Sequence, residues 1–143
     1  MGGEVGIVVD ASVCAKWFFP EEHSDHATRL LLSDEAFRAP ELLMAEFGSI
    51  VWKKRIRGEI NDSDALEAVS DFGRTRLELS PTHELALDAL AIGVALRHSF
   101  YDCLYLALAE RDGIKLVTAD RRFRNKVAGT RYADLLLWIE DLP

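Results

Sequence analysis

The chain has 143 residues, 49% of them hydrophobic and 29% charged, with a formal net charge of −7. That length suits a single domain, taken as residues 1–143, and the apolar share supplies a core and excludes a disordered chain. The acidic balance argues against a broad nucleic-acid-binding face, which is normally basic, unless bound cations offset the acids.

The opening MGGEVGIVVDAS has no basic segment ahead of its short apolar run, so no signal peptide is expected. No apolar stretch approaches the roughly 20 residues that span a bilayer, and the expectation is a soluble, cytoplasmic protein with no membrane partner. Gly6-Ile7-Val8-Val9-Asp10 is a β-branched run suited to a strand buried on both faces. A short helix from Ser12 to Phe18 stops at Pro20, a second runs from about Ser24 to Leu32, and Phe37-Arg38-Ala39 forms a short strand before Pro40. Glu41 to Arg57 is strongly helical and ends at Gly58, after which Asn61 or Asp62 caps a helix to about Arg74. Leu77-Glu78-Leu79 is a strand, Pro81-Thr82 opens a helix through Leu96, and a further helix spans about Tyr101 to Arg111, closed by Gly113. Lys115 to Thr118 reads as a buried strand, a short helix follows Asp120, and Leu135 to Ile139 is the last strand. Strands alternating with helices imply an α/β fold with a mainly parallel sheet between helices. Such sheets place their sites outside the carboxyl ends of the strands.

Two acids fall at that edge. Asp10 directly follows the first strand, and Asp120 lies two residues beyond Thr118. Each also has a structural explanation as the cap of the helix that follows. Asp102 opens a helix whose next residues are almost all apolar, so it sits at the mouth of a central element, where the helix dipole also suits an acid. Glu46 is harder to explain by local structure. It lies on the stripe marked by Leu42, Leu43, Phe47, Ile50 and Val51, with no basic residue within one turn, and a carboxylate facing a core is costly unless it is paired or holds a cation. Four carboxylates together repel one another unless a cation neutralises them. Oxygen ligands without His or Cys select Mg²⁺, with Mn²⁺ able to substitute, over Zn²⁺. Such a site suits phosphodiester hydrolysis, because the ion binds the phosphate and lowers the pKa of the attacking water.

The remaining features carry less. Basic residues gather at Lys53-Lys54-Arg55 with Arg57, and at Arg121, Arg122 and Arg124 with Lys126 and Arg131. The second stretch, Arg121, Arg122 and Arg124 foremost, could hold flanking RNA phosphates, although a charge run is usually a solvated face. Cys14 and Cys103 read as buried free thiols, and His23 with His26 as a solvated helix face. There is no Ser/His/Asp nucleophile set and no phosphate-cradling glycine loop of the G-x-x-x-x-G-K-[ST] kind.

Four blocks then resemble a known family. Val8-Val9-Asp10-Ala11-Ser12-Val13, Pro40-Glu41-Leu42 through Glu46, Tyr101-Asp102-Cys103-Leu104-Tyr105-Leu106-Ala107-Leu108-Ala109-Glu110 and Val117-Thr118-Ala119-Asp120-Arg121-Arg122-Phe123 are similar to those of PIN-domain proteins, most of all the VapC-type toxins of toxin–antitoxin pairs. The resemblance runs from about residue 7 to residue 127, in order and at the family's spacing. It implies a three-layer fold with a parallel sheet of about five strands flanked by helices, and a Mg²⁺-dependent endoribonuclease. Its catalytic metal site would be Asp10, Glu46, Asp102 and Asp120, with Asp10 and Asp102 the most direct ligands and Ser12 and Thr118 in hydrogen-bonded support. It further implies a homodimer, a structured RNA substrate, and an antitoxin whose tail covers a groove near the acids. Two positions depart from the family. Ser49 stands where many relatives have Asn, which puts contacts around the site in doubt, and Arg122 stands where some have another acid, which weakens the case for a second metal. The rival expectation is a non-catalytic PIN-like module that binds protein or RNA. A phospho-receiver domain shares the architecture, but Ala11 and Thr118-Ala119-Asp120 supply neither the acidic pair nor the lysine it needs.

Overall fold

The structure, a computed structural model, describes residues 6–142. The expectation of no leader at the start of the chain therefore lies largely outside the described residues. Five strands form one parallel sheet in the order β3-β2-β1-β4-β5. They are β1 Gly6–Val9, β2 Ala36–Pro40, β3 Leu77–Ser80, β4 Lys115–Thr118 and β5 Leu136–Trp138. Between them lie α1 Ala11–Phe18 and α2 Ser24–Leu31, α3 Leu42–Ile56 and α4 Asp62–Phe72, α5 Thr82–Leu96 and α6 Phe100–Asp112, and α7 Arg121–Val127. The last strand is shorter than the sequence suggests. A 3₁₀ turn at Ala133–Leu135 precedes β5 and another at Ile139–Asp141 follows it, so Leu135 and Ile139 belong to turns.

Ile7, Val8 and Val9 are all buried. Successive strand residues point to opposite faces, so β1 is covered on both sides, as a parallel sheet requires. β1 pairs with β2 on one side and β4 on the other, with Val8 opposite Arg38 and Leu116. The chain builds outward from β1 to β3 and then returns to β4, so the order reverses between β1 and β4. At such a switch point the connections leave the two strands in opposite directions and open a crevice at their carboxyl ends.

In α3 the inward stripe is Leu43, Phe47 and Val51, with Phe47 stacked on Phe72 of α4 at 4.0 Å between ring centroids. Leu42, Ile50 and Glu46 flank that stripe and are only half-buried. α5 and α6 pack as a hairpin through a tight turn in which Arg97 is left-handed, at φ 52°, and His98 N–H donates to Gly93 O at 3.1 Å. A Cβ at Gly93 would meet the His98 carbonyl oxygen at 3.1 Å, so the bare Cα is what lets the turn close. Cys14 and Cys103 are buried free thiols, as expected. No described helix is long and apolar enough to cross a membrane.

Candidate active site

β1 and β4 each deliver an acid to the crevice between them. Asp10 caps α1, its Oδ1 accepting Val13 N–H at 3.1 Å and the Ser12 hydroxyl at 2.6 Å. Its Oδ2 accepts the Thr118 hydroxyl at 2.6 Å, a bond between the ends of the two central strands. Thr118 is fully buried and its Oγ1 also accepts Asp120 N–H at 3.1 Å, while Ser12 Oγ accepts Ala119 N–H at 3.1 Å. Ser12 and Thr118 thus tie the β1–α1 turn to the β4–α7 turn. Asp120 caps α7 by accepting Phe123 N–H at 3.2 Å. The cap explanations for Asp10 and Asp120 are therefore correct, and they coexist with a placement at the switch point.

The other two acids arrive on helices. α6 leads into the amino end of β4, so its own first turn, which carries Asp102, lies at the carboxyl edge of the sheet. The Asp102 carboxylate is held through Oδ2 by His98 Nε2 at 2.7 Å. Glu46 sits in the second turn of α3, where its Oε1 accepts the Tyr105 hydroxyl at 2.5 Å. This corrects the sequence argument for Glu46. Its partner exists, but it is a phenol supplied by α6, 59 positions further along the chain, which periodicity within α3 cannot reveal.

Burial pushes the Asp10 carboxyl up from 3.8 to about 6, against the pull of the Ser12, Thr118 and Val13 hydrogen bonds, with the Asp102 charge adding to the rise. Burial also raises Glu46 and Asp102 above the ordinary carboxylate range. In each, a hydrogen bond opposes the shift, from Tyr105 or His98, and a like charge adds to it, Asp102 acting on Glu46 and Asp120 on Asp102. Asp102 is thus the electrostatic hub, its charge felt at Asp10 and Glu46 while it feels that of Asp120.

Asp102 and Asp120 line an open cleft of about 570 Å³ together with Gly93, Arg97, His98, Ser99 and Arg122. Arg122, one of the three arginines singled out by sequence, therefore faces the acids. The other two lean over the Trp138 indole of β5, Arg124 at 4.8 Å and Arg121 at 5.8 Å from the ring centroid. Ser49 is exposed on α3. The basic stretch on α3 is engaged elsewhere, Lys54 pairing with Glu21 at 3.0 Å and Arg55 with Asp62. His23 is more enclosed than a solvated face, its side chain 15% exposed with Nε2 3.3 Å from a Glu22 carboxylate oxygen. His98 was missed in the sequence, although its place four residues before Asp102 was the available signal.

Among the described residues, no three His, Cys, Asp or Glu side chains stand close enough to enclose a metal ion. That geometry excludes an all-protein cage, but a hydrated Mg²⁺ does not need one. It usually keeps several waters and binds through one or two carboxylates and the substrate phosphate. The donors present are hard carboxylate oxygens, those of Asp10, Glu46 and Asp102 raised in pKa by burial and by neighbouring charge, and Asp102 Oδ1 accepts no hydrogen bond among the described residues. The donor set fits such an ion.

A parallel sheet with helices on both faces and acidic side chains brought to its switch point defines an α/β protein whose candidate site lies at the carboxyl edge of the strands. Residues 7–128 match the family model of the PIN domain. The chain is also 35% identical over 125 residues to Ribonuclease VapC3 of Pyrobaculum aerophilum, covering 84% of this chain and 93% of that one. It belongs to the PIN-domain family. Its fold is similar to that of PAE2754 from Pyrobaculum aerophilum, with a TM-score of 0.69 at 24% identity, over 99% of this chain and 95% of that one. A toxin–antitoxin complex from Klebsiella pneumoniae contains a chain of the same fold, with a TM-score of 0.59 at 12% identity, over 92% and 96% of the two chains.

Proposed function

We propose that the chain is a VapC-type toxin, a cytoplasmic, Mg²⁺-dependent endoribonuclease, with Mn²⁺ able to substitute. The observation that carries this reading is the tie between Asp10 and Thr118 at the switch point, with Asp102 and Asp120 lining one cleft beside it. Asp10 and Asp102 would hold the cation, with Glu46 and Asp120 in support. When bound, Mg²⁺ would neutralise the mutual repulsion of the acids and polarise the scissile phosphate and the attacking water. The chain's own residues do the rest. Ser12 and Thr118 orient both oxygens of Asp10, and Tyr105 fixes Glu46. Arg122 at the cleft offers a phosphate a charged partner in an otherwise acidic setting. The substrate is RNA, as the name of the 35% identical ribonuclease suggests.

Two further surfaces support the partners of this reading. Leu87, Leu90 and Val94 on α5 are 82%, 55% and 70% exposed. They form an uncharged ridge, the kind of face on which two copies of an acidic chain can meet without repulsion, and a homodimer would bury it. Trp17, Phe18 and Phe19 floor a groove of about 330 Å³ rimmed by Asp64, Glu67 and Asp71, which suits a basic, partly apolar tail of an antitoxin. Cleavage of total RNA by the purified chain with Mg²⁺, abolished by Asp10→Ala and by Asp102→Asn in folded protein, is the expected result. Full activity in excess EDTA would refute it. A binding module without catalysis predicts no cleavage with any metal.

A further inference from the structure

We infer that His98 is the positioning residue of Asp102, fixing that carboxylate at the mouth of the acidic cleft; the cation-affinity half of the test rests on the function proposed above. The hydrogen bond from His98 Nε2 to Asp102 Oδ2, at 2.7 Å, is the one hydrogen bond among the described residues to a side chain that sits in the first turn of α6 and lines the cleft. Without it, the carboxylate is free to sample its staggered rotamers.

His98 is itself held through both its ring and its backbone. Its ring lies flat on Phe123, with centroids 5.2 Å apart and planes 8° from parallel. Phe123 is buried in α7, the helix that Asp120 caps, so one imidazole links Asp102 to the element carrying its electrostatic neighbour. The His98 backbone is pinned by the bond to Gly93 O, by the left-handed Arg97 before it, and by the close approach that Gly93 permits. His98 lies before α6 begins, so this is not an exchangeable pair on a helix surface. It is a side chain locked by packing whose polar end reaches one carboxylate oxygen and leaves the other, Oδ1, without a hydrogen bond among the described residues.

The test compares wild type, His98→Ala, His98→Gln and Phe123→Leu, each checked for an intact fold by its amide NMR spectrum. Side-chain three-bond couplings of Asp102, measured without metal, report whether its χ1 is fixed or averaged. Mn²⁺ affinity is then measured by electron paramagnetic resonance. The wild type is expected to show one rotamer and His98→Ala an average of several, with Mn²⁺ affinity falling about tenfold or more, the usual effect of losing a hydrogen-bond partner of a ligand. His98→Gln, whose amide N–H can donate, is expected to recover part of both effects. Phe123→Leu, which keeps the imidazole and loses its stacking surface, is expected to fall between wild type and His98→Ala. A single Asp102 rotamer in folded His98→Ala, or in a folded His98→Leu made in its place if the alanine variant does not fold, would overturn the inference. Failure of the wild type to take up Mn²⁺ would instead refute the function proposed above, since the couplings read the hold of His98 on Asp102 without any cation.

Discussion

Asp10→Asn is the substitution on which the electrostatic account of the site stands or falls. Burial raises the folded pKa of Asp10 from 3.8 to about 6, which corresponds to about 3 kcal/mol of folding free energy lost when the group ionises. The folded state holds its proton more tightly than the unfolded one. This contribution is therefore fully present below about pH 4 and is lost as pH rises through about 6. Asparagine stays neutral throughout. It caps a helix as well as aspartate does, its carbonyl oxygen still accepting Val13 N–H and the Ser12 hydroxyl, and the Thr118 hydroxyl can rotate to accept from its amide N–H. The variant should match wild type at about pH 4 and exceed it by up to about 3 kcal/mol at about pH 7.5, roughly a 10 °C rise in melting temperature. Added Mg²⁺ should stabilise wild type and not the variant, because a ligand that binds only the folded state contributes in proportion to its occupancy. The measurement is denaturant unfolding of both proteins at the two pH values, and the double difference cancels contributions common to both. A variant less stable than wild type at the higher pH, or an advantage unchanged at the lower one, would show that Asp10 is not a strained carboxylate and would refute the reasoning.

Other perturbations test the neighbouring links. Thr118→Val preserves shape but strips the hydroxyl that Asp10 Oδ2 and Asp120 N–H share; we expect a loss of about 2 kcal/mol at neutral pH and weaker Mn²⁺ binding, measured by urea unfolding and calorimetric titration. Tyr105→Phe removes the hydrogen bond that opposes the rise of the Glu46 pKa. Its cost should be about 1–2 kcal/mol above the Glu46 pKa, shrinking as acid protonates Glu46, and a pH-independent cost would contradict this. Leu90→Glu places a charge on the exposed ridge of α5 and should shift the protein toward monomer in light scattering without lowering its melting temperature; an unchanged mass would show that the ridge is not the contact between copies.

Much of the architecture was legible along the chain because the signals that specify it are local. The apolar runs at Ile7–Val9 and Leu116–Val117 read as buried strands, Gly58 and Gly113 marked helix ends, and Asn61 or Asp62 announced the start of α4, where Asn61 proves to be the cap. The alternation of strand and helix led to a parallel sheet, and the position of Asp10 and Asp120 just after strands led to its carboxyl edge. The boundaries of β5 were not legible, because the 3₁₀ turns on either side use the same apolar residues as the strand they flank. Tertiary structure alone decided what each acid touches. Asp10 meets Thr118 across 108 positions and Glu46 meets Tyr105 across 59. The sheet order and the packing of α3 near α6 create those contacts, and no periodicity encodes them. His98 gains its role in the same way, from a turn closed over Gly93 and a ring supplied by α7. The sequence by itself determined that Asp10 and Asp120 follow strands at the carboxyl edge and that Asp102 opens a helix, since strand ends and helix starts are local events. How those groups are held, and how far burial shifts their charge, followed only from the long-range packing that brings them together.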